Sequence, residues 1–302
     1  MSVGGTRRGL GWIPDYPDFR DYTETTKEVA EVLAPTGLAA PAGRGSPRVR
    51  QRKAVPASVD LRPWASAVED QGMLGSCTAQ AGAGVIEYYE RKSFGRHIEA
   101  SRLFLYKVTR NLMKMKGDTG GYLRLTIGAM VLFGVPPEEY WPYTDDENAF
   151  DKEPPAFCYA FAQNYKTILY FRHDPPGTAK ATVIDRLKTY LAAGHPAMFG
   201  FTVYSSVEQA SATGRIPYPS AREKIEGGHA VVAMGYDDAM AIRNTTGGVE
   251  TKGAFLIRNS WGTGWGEAGY GWLPYEYVTK GLAEDFWSVL KKEWVDTGVF
   301  KI

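Results

Sequence analysis

The chain has 302 residues, 44% apolar and 23% charged, long enough to bury a core of its own and too apolar for wholesale disorder. Lysine and arginine number 35 against 34 aspartate and glutamate, a formal net charge of +1 that argues against a nucleic-acid or anionic-membrane binder. Two cysteines, Cys77 and Cys158, cannot build a disulfide framework, and no apolar run approaches the roughly 20 residues of a membrane-spanning helix.

The start, MSVGGTRRGLGWIPDYPDF, has two arginines with no apolar stretch behind them. A secretory signal is therefore not expected; a cytoplasmic location is, with signal-independent export as the alternative. Residues 1–56 are expected to form a separate prosegment and linker. Trp12, Tyr16, Phe19 and Tyr22 alternate with Asp15, Asp18 and Asp21, and Pro14 and Pro17 break any helix there, so this stretch reads as an extended strap. No long helix is expected within residues 1–55. Residues 34–48, rich in Ala, Gly and Pro, read as a flexible linker. The basic run RVRQRK at 48–53 reads as solvated and open to proteolysis.

From Cys77 onward the pattern predicts helices over 77–92, 101–115, 123–133 and 183–193, the last stopped by Gly194. Short apolar runs follow, AMFGFTVY, HAVVAMGY and GAFLIRNSW, bounded by Gly, Pro and Asp, and these read as strands. Residues 237–253 read as a loop or hairpin joining two of them. Helices first and strands second predict an α+β chain with two segregated halves.

Cys77 follows GMLGS and opens the first of these helices. The positive end of the helix dipole and the unpaired N–H groups there favour a thiolate. A lone cysteine at such a boundary also fits a small buried hydrophobe. His229, in GGHAVVAMGY, shifts the balance, because glycines admit close backbone approach and the β-run then fixes the ring. His97, His173 and His195 have no comparable setting and read as surface or structural. Asn259 ends the run FLIRN, where its side chain could accept from one imidazole nitrogen. Nucleophile, base and orienter together make a triad.

Four stretches, QGMLGSCTAQ, TGGYLRL, GGHAVVAMGY and RNSWGTGWGEAGYGW, resemble in that order the motifs of the papain family of cysteine peptidases. The resemblance spans about residues 56–290. The opening GWIPDYPDFRDY is similar to that of xylellain-like bacterial members. His229 lies 152 residues after Cys77, close to the roughly 130–150 expected of the family, and Asn259 lies 182 after it, the loop at 237–253 accounting for the excess.

The resemblance implies a two-lobed papain-like fold. A helical left lobe would cover about 57–164 and a β-barrel-like right lobe about 165–302, with the active-site cleft between them. It implies a cysteine endopeptidase acting through a thioester acyl-enzyme, with Cys77 as nucleophile, His229 as general acid/base, Asn259 as orienter and Gln71 as oxyanion donor. Gly120 and Gly121 would pair with an extended peptide beside Gly228. Tyr122, Leu123 and Ala230 would line the pocket for the residue two before the scissile bond. Trp261 would shield the Asn–His hydrogen bond. Glu284 or Asp285 near the base of that pocket would favour Arg or Lys in the substrate.

The chain departs from the family pattern where the usual disulfide partners stand, at Leu74 and in Lys116-Gly117-Asp118, which fits a reducing compartment. Thr78 and Gln80 replace the aromatic residues usual after the nucleophile. Cys158 reads as a buried free thiol. Family proenzymes carry a longer helical prosegment; here the short strap and linker would lie over the cleft, or else pack on the back of the domain. No metal or organic cofactor is expected. The expected partners are protein or peptide substrates acting on a monomer, with no nucleic acid and no membrane. A transpeptidase or isopeptidase on the same fold, or an inactive peptidase-like binding module, are the alternative readings.

Overall fold

The computed structural model describes residues 2–3, 6–38, 55–165 and 169–300. The linker from residue 39 and the basic run at 48–53 lie outside the described residues. The elements in order are β1 (Ser2–Val3), β2 (Thr6–Arg7), α1 (Lys27–Leu33), β3 (Ser58–Asp60), α2 (Cys77–Phe94), α3 (Arg102–Leu112), α4 (Leu123–Leu132) and α5 (Ala156–Ala162). There follow β4 (Leu169–Arg172), α6 (Lys180–Ala192), β5 (Ala197–Tyr204), β6 (Ile225–Arg243), β7 (Glu250–Arg258), β8 (Tyr270–Pro274), α7 (Tyr275–Thr279), β9 (Ala283–Leu290) and α8 (Lys292–Val295). Among the described residues no helix is long and apolar enough to cross a membrane.

Helix α2 is the hub. Every residue from Cys77 to Tyr89 is buried, so the helix has no solvent face over its first three turns. Its Ala and Gly residues let neighbours close in from both sides: a Cβ on Gly82 would stand 3.0 Å from Leu105, and one on Gly84 only 2.8 Å from the Arg258 side chain on β7. One side therefore faces α3 and α4 and the other faces the sheet. The helix ends at Gly95, whose φ of 73° accommodates the left-handed turn.

The sheet has seven strands, ordered β4-β9-β5-β6-β7-β8, with β3 added to β6 and all pairings antiparallel. The expected barrel-like closure does not form. Both edges are instead occupied by irregular chain: Arg172 of β4 donates its N–H to the Tyr22 carbonyl, and Trp272 of β8 exchanges hydrogen bonds with Gly214 and Ile216. Edges satisfied in this way have no need to meet. Because β3 joins β6, the chain just after residue 57 belongs with the strands, not with the helical lobe. Residues 237–253 are a hairpin, since β6 runs on to Arg243 and pairs with the start of β7.

Residues 1–38 hold no long helix among the described residues, but a short one, α1, stands in the stretch read from sequence as an extended strap and linker. Seven residues make a marginal helix in isolation, and the stability comes from docking. Val29, Leu33 and Leu38 form a second small core with Phe171, Tyr190, Ala193 and Leu290 of the β-rich half.

Candidate active site

Cys77 stands at the first position of α2, fully buried. Ser76, the residue before it, does not cap the helix; its hydroxyl is 2.7 Å from the Tyr143 hydroxyl, which donates to the Gln71 carbonyl at 2.8 Å. The first-turn N–H groups are thereby left for the thiol and its surroundings. Burial pushes the Cys77 thiol up to about 11, opposed by hydrogen bonding from the backbone of Ala230, Gly11 and Thr78.

His229 projects from β6, in register with Phe201 of β5. Its Nε2 lies 2.7 Å from Asn259 Oδ1, just beyond the end of β7, and that oxygen also accepts from the Ser260 N–H at 2.8 Å. An oxygen receiving both bonds makes Nε2 the protonated nitrogen and leaves Nδ1 bare, with no hydrogen-bond partner. Trp261 stacks on the imidazole, ring centroids 4.6 Å apart, and is itself fully buried. Burial pulls His229 down to about 4, against the raising influence of Asn259.

Gln71 is held on three sides. Its Oε1 accepts from the Ser260 hydroxyl at 2.5 Å, its N–H donates to the Ser260 carbonyl, and its Nε2 donates to Leu74 O at 2.7 Å. Where the usual disulfide is missing, Asp118 takes over the bridging. Its Oδ1 accepts from the Gly75 N–H at 2.9 Å and from the Tyr106 hydroxyl at 2.5 Å, and that hydroxyl accepts from the Gly120 N–H. The loop before Cys77 and the Gly120–Gly121 strip are thus tied by hydrogen bonds.

Residues 8–13 run through the cleft. The Gly121 N–H donates to Gly11 O at 2.7 Å, Ile13 N–H to Gly121 O at 3.2 Å, and Trp12 N–H to Gly228 O at 3.1 Å. Gln71 Nε2 also reaches Gly9 O at 3.2 Å. Contact is close enough to require glycine on both sides: a Cβ on Gly11 would sit 1.8 Å from Gly75 O, and one on Gly200 only 1.9 Å from the Trp12 indole. The indole is 5% exposed and points its Nε1 at Asp285 Oδ2, 3.3 Å away. Beyond the cleft, Arg124 binds the strap by Asp15, by both oxygens of Asp21 and by the Tyr16 carbonyl.

A family model described as "Papain family cysteine protease" matches residues 55–288. The chain belongs to the papain family of cysteine peptidases. An uncharacterized peptidase C1-like protein of Acanthamoeba polyphaga mimivirus is 33% identical, over 96% of this chain and 89% of its own length. Cathepsin K of Gallus gallus is 28% identical over 82% and 68% of the two chains. The crystal structure of xylellain, a cysteine protease from Xylella fastidiosa, is similar with 37% identity and a TM-score of 0.71, covering 94% of this chain and 96% of that one.

In this peptidase the remaining expected site residues divide. Gly120, Gly121, Gly228 and Ala230 border the strap or the thiol. Tyr122 is half-buried before α4, whereas Leu123 is wholly buried in that helix's first turn. Asp285 is buried against the Trp12 indole with a φ of 67°, and Glu284, its neighbour, is half-exposed. The carboxylate is not free to recruit a basic side chain: Arg172 lies 3.1 Å away and Trp287 Nε1 donates to it at 2.7 Å. Burial nonetheless raises Asp285 to about 7, with Arg172 the main opposing influence.

Gly200, Arg172, Arg124 and Asp118 were not foreseen. Gly200 carried a readable signal, a glycine inside the apolar run AMFGFTVY, which marks a close approach. Arg172 and Arg124 act through residues over 100 positions away, which no local pattern reveals. Cys158 is a buried free thiol in α5, its Sγ 3.6 Å from Tyr140 O. Glu87, His97 and Glu99 bring ligand atoms within 4.8 Å of one another, but Glu87 already accepts from Ser66 and Ala100, and His97 pairs with Glu99.

Proposed function

We propose that this peptidase is made latent, with residues 8–13 filling its cleft, and that Cys77, His229, Asn259 and Gln71 carry out hydrolysis once the strap leaves. The observation that carries this reading is the seating of Trp12 and Gly11 on Gly121, Gly228 and Asp285. Trp12 takes the slot for the residue two before the scissile bond, and Gly11, the residue preceding it, reaches Cys77. A substrate would put the residue following the slot there. The strap therefore runs opposite to a substrate, its Gly11 carbonyl engaged by the Gly121 N–H, and it is held without being cut.

The same burial explains the silence of the pair. Desolvation holds Cys77 as thiol and His229 as neutral imidazole, and water entering the emptied cleft reverses both. The proton of Cys77 then passes to His229 Nδ1, and Asn259 keeps the ring oriented through Nε2. Thiolate attacks the peptide carbonyl carbon, and the resulting oxyanion is met by Gln71 Nε2 and the Cys77 N–H. Collapse breaks the C–N bond, the amine leaves with the proton from His229, and a thioester remains. Water, giving its proton to His229, attacks the thioester and releases the acid and the thiol. The Trp12 slot favours an aromatic side chain.

Mapping the adduct of an epoxysuccinyl thiol reagent by mass spectrometry tests the assignment. The adduct is expected on Cys77 and not on Cys158, and reporter-peptide hydrolysis is expected to vanish in Cys77→Ala. A strap-loosened chain that neither takes the label nor turns over a peptide would defeat the reading.

A further inference from the structure

Residues 8–38 divide into two parts with different attachments. Residues 8–13 line the cleft through backbone hydrogen bonds and one indole. Residues 22–38 are built into the β-rich half: the Tyr22 carbonyl extends the β4 edge, Glu24 meets Arg186 at 3.2 Å and the Tyr190 hydroxyl at 3.3 Å, and Val29, Leu33 and Leu38 are buried. Between the two lies an exposed turn, closed by the Asp21 N–H donating to Asp18 O at 3.0 Å. Phe19 on that turn is 95% exposed, with Tyr16 close behind at 89%.

We propose that this turn is a proteolytic processing site, cut between Arg20 and Asp21 by the cleft of a second copy of this chain, and that residues 21–38 stay docked as a permanent part of the enzyme. The proposal rests on the peptidase reading above and adds where the latent form opens and how little it loses.

The choice of bond follows from the slot. The cleft accepts an aromatic side chain beside Gly200, and it presents the Gly228 carbonyl to a backbone N–H of the occupant. Phe19 in the slot makes Arg20 the acyl residue; its N–H, given to Asp18 Oδ1 at 2.9 Å on the exposed turn, is released for such a bond when the turn opens. Tyr16 in the slot would make it Pro17, which has none. Tyr22 is tied down through its carbonyl to Arg172, and the Thr23 N–H is already given to Thr26. Within the turn Arg20 and Asp18 pair on the surface, where such contacts contribute little, and the Arg124 clamp on Asp15 and Asp21 must also yield for the bond to enter a cleft.

In the step itself, Cys77 Sγ of an opened copy attacks the Arg20 carbonyl carbon, and the Arg20–Asp21 C–N bond breaks. Asp21 leaves as a free amine with the proton from His229. Water then hydrolyses the thioester, releasing residues 1–20 with a new carboxylate and restoring the thiol. Asp21 keeps its two hydrogen bonds from Arg124 after the cut, at 2.8 and 2.7 Å, so the new terminus is held in place.

Full-length Cys77→Ala chain, mass-tagged, is incubated with full-length wild type, and the products are read by size exclusion and intact mass. The expected result is cleavage after Arg20 only when wild type is present, with residues 21–302 eluting as one species, and at least a tenfold slower cut in Phe19→Asp. Cleavage within 39–56 with loss of residues 21–38 would overturn the proposal. So would an uncut Cys77→Ala chain beside wild type whose Cys77 takes the epoxysuccinyl label, and this outcome leaves the peptidase reading standing. Absence of both label and cleavage overturns the two together.

Discussion

Replacing Trp12 by alanine isolates the grip of the strap on the cleft. The indole is 5% exposed and contributes roughly 200 Å² of buried surface, which at ~25 cal/mol per Å² is an upper estimate of about 5 kcal/mol. Truncations of buried Trp cost about 3–5 kcal/mol, and the emptied slot opens to water, so the low end applies. About 3 kcal/mol raises the open fraction roughly a hundredfold, since each 1.4 kcal/mol is tenfold. The assay is the second-order rate of epoxysuccinyl labelling at Cys77, which under gating by the strap is proportional to the open fraction. A rise on the order of a hundredfold is expected, with the thermal midpoint of the body little changed. Gly200→Ala makes the same test from the other side, because its methyl would overlap the indole at 1.9 Å. A labelling rate unchanged in Trp12→Ala would refute the reasoning.

Asp118→Ala removes the hydrogen-bonded bridge between the Cys77 loop and the Gly120 strip, and peptide turnover in the strap-loosened background is expected to fall roughly tenfold, as for one lost charge-assisted bond of about 1.5–3 kcal/mol; turnover equal to the parent would show the bridge to be dispensable. Asp285 already faces Arg172, so aromatic reporters are expected to be cut faster than those with Arg in the slot, and Asp285→Asn should narrow the lead of Trp over Phe; a preference for Arg would contradict this charge assignment. Acid should destabilise the full chain. Burial lowers His195 to about 3, His229 to about 4 and His173 well below its usual value, so their contributions are complete above about pH 6.5 and are lost as pH falls toward 4 and 3. Glu87 and Asp285, raised by burial to about 7, act in the opposite sense, contributing fully below about pH 4 and less as pH rises to 7. Glu90 and Glu276, also raised by burial, act with these carboxyls, but below about pH 4.5 carboxyls of this kind are largely protonated folded or unfolded, so the histidines dominate and the unfolding free energy should drop by about 1–2 kcal/mol per pH unit between pH 4.5 and 3. Urea midpoints across that range are the measure, and stability that increases on acidification would count against these shifts.

Much of this protein was legible one stretch at a time. Cys77 opens α2 because an Ala-rich run without proline begins there, and α3, α4 and α6 follow the apolar spacing of their own sequences. β5 is dense in β-branched and aromatic residues, and β6 and β7 carry the short apolar runs HAVVAMGY and AFLI, so local pattern and final structure agree. Helix α1 was missed because its seven residues are stable only against Phe171 and Leu290. The open sheet was missed because nothing within β4 or β8 says that Tyr22 and Gly214 will cover their edges.

The sequence by itself determined the family and the chemistry available: one cysteine at a helix start, one histidine on a β-run, an asparagine at a strand end and a glutamine six residues before the cysteine. These are properties of residue type and spacing, which the chain carries before it folds. Only the tertiary structure decided that the pair is dehydrated, that Asp285 is neutralised by Arg172, and that Trp12 fills the slot beside Gly200. Each depends on groups brought together from over 100 residues apart. Burial and charge pairing are properties of that assembled neighbourhood, and no single segment contains them.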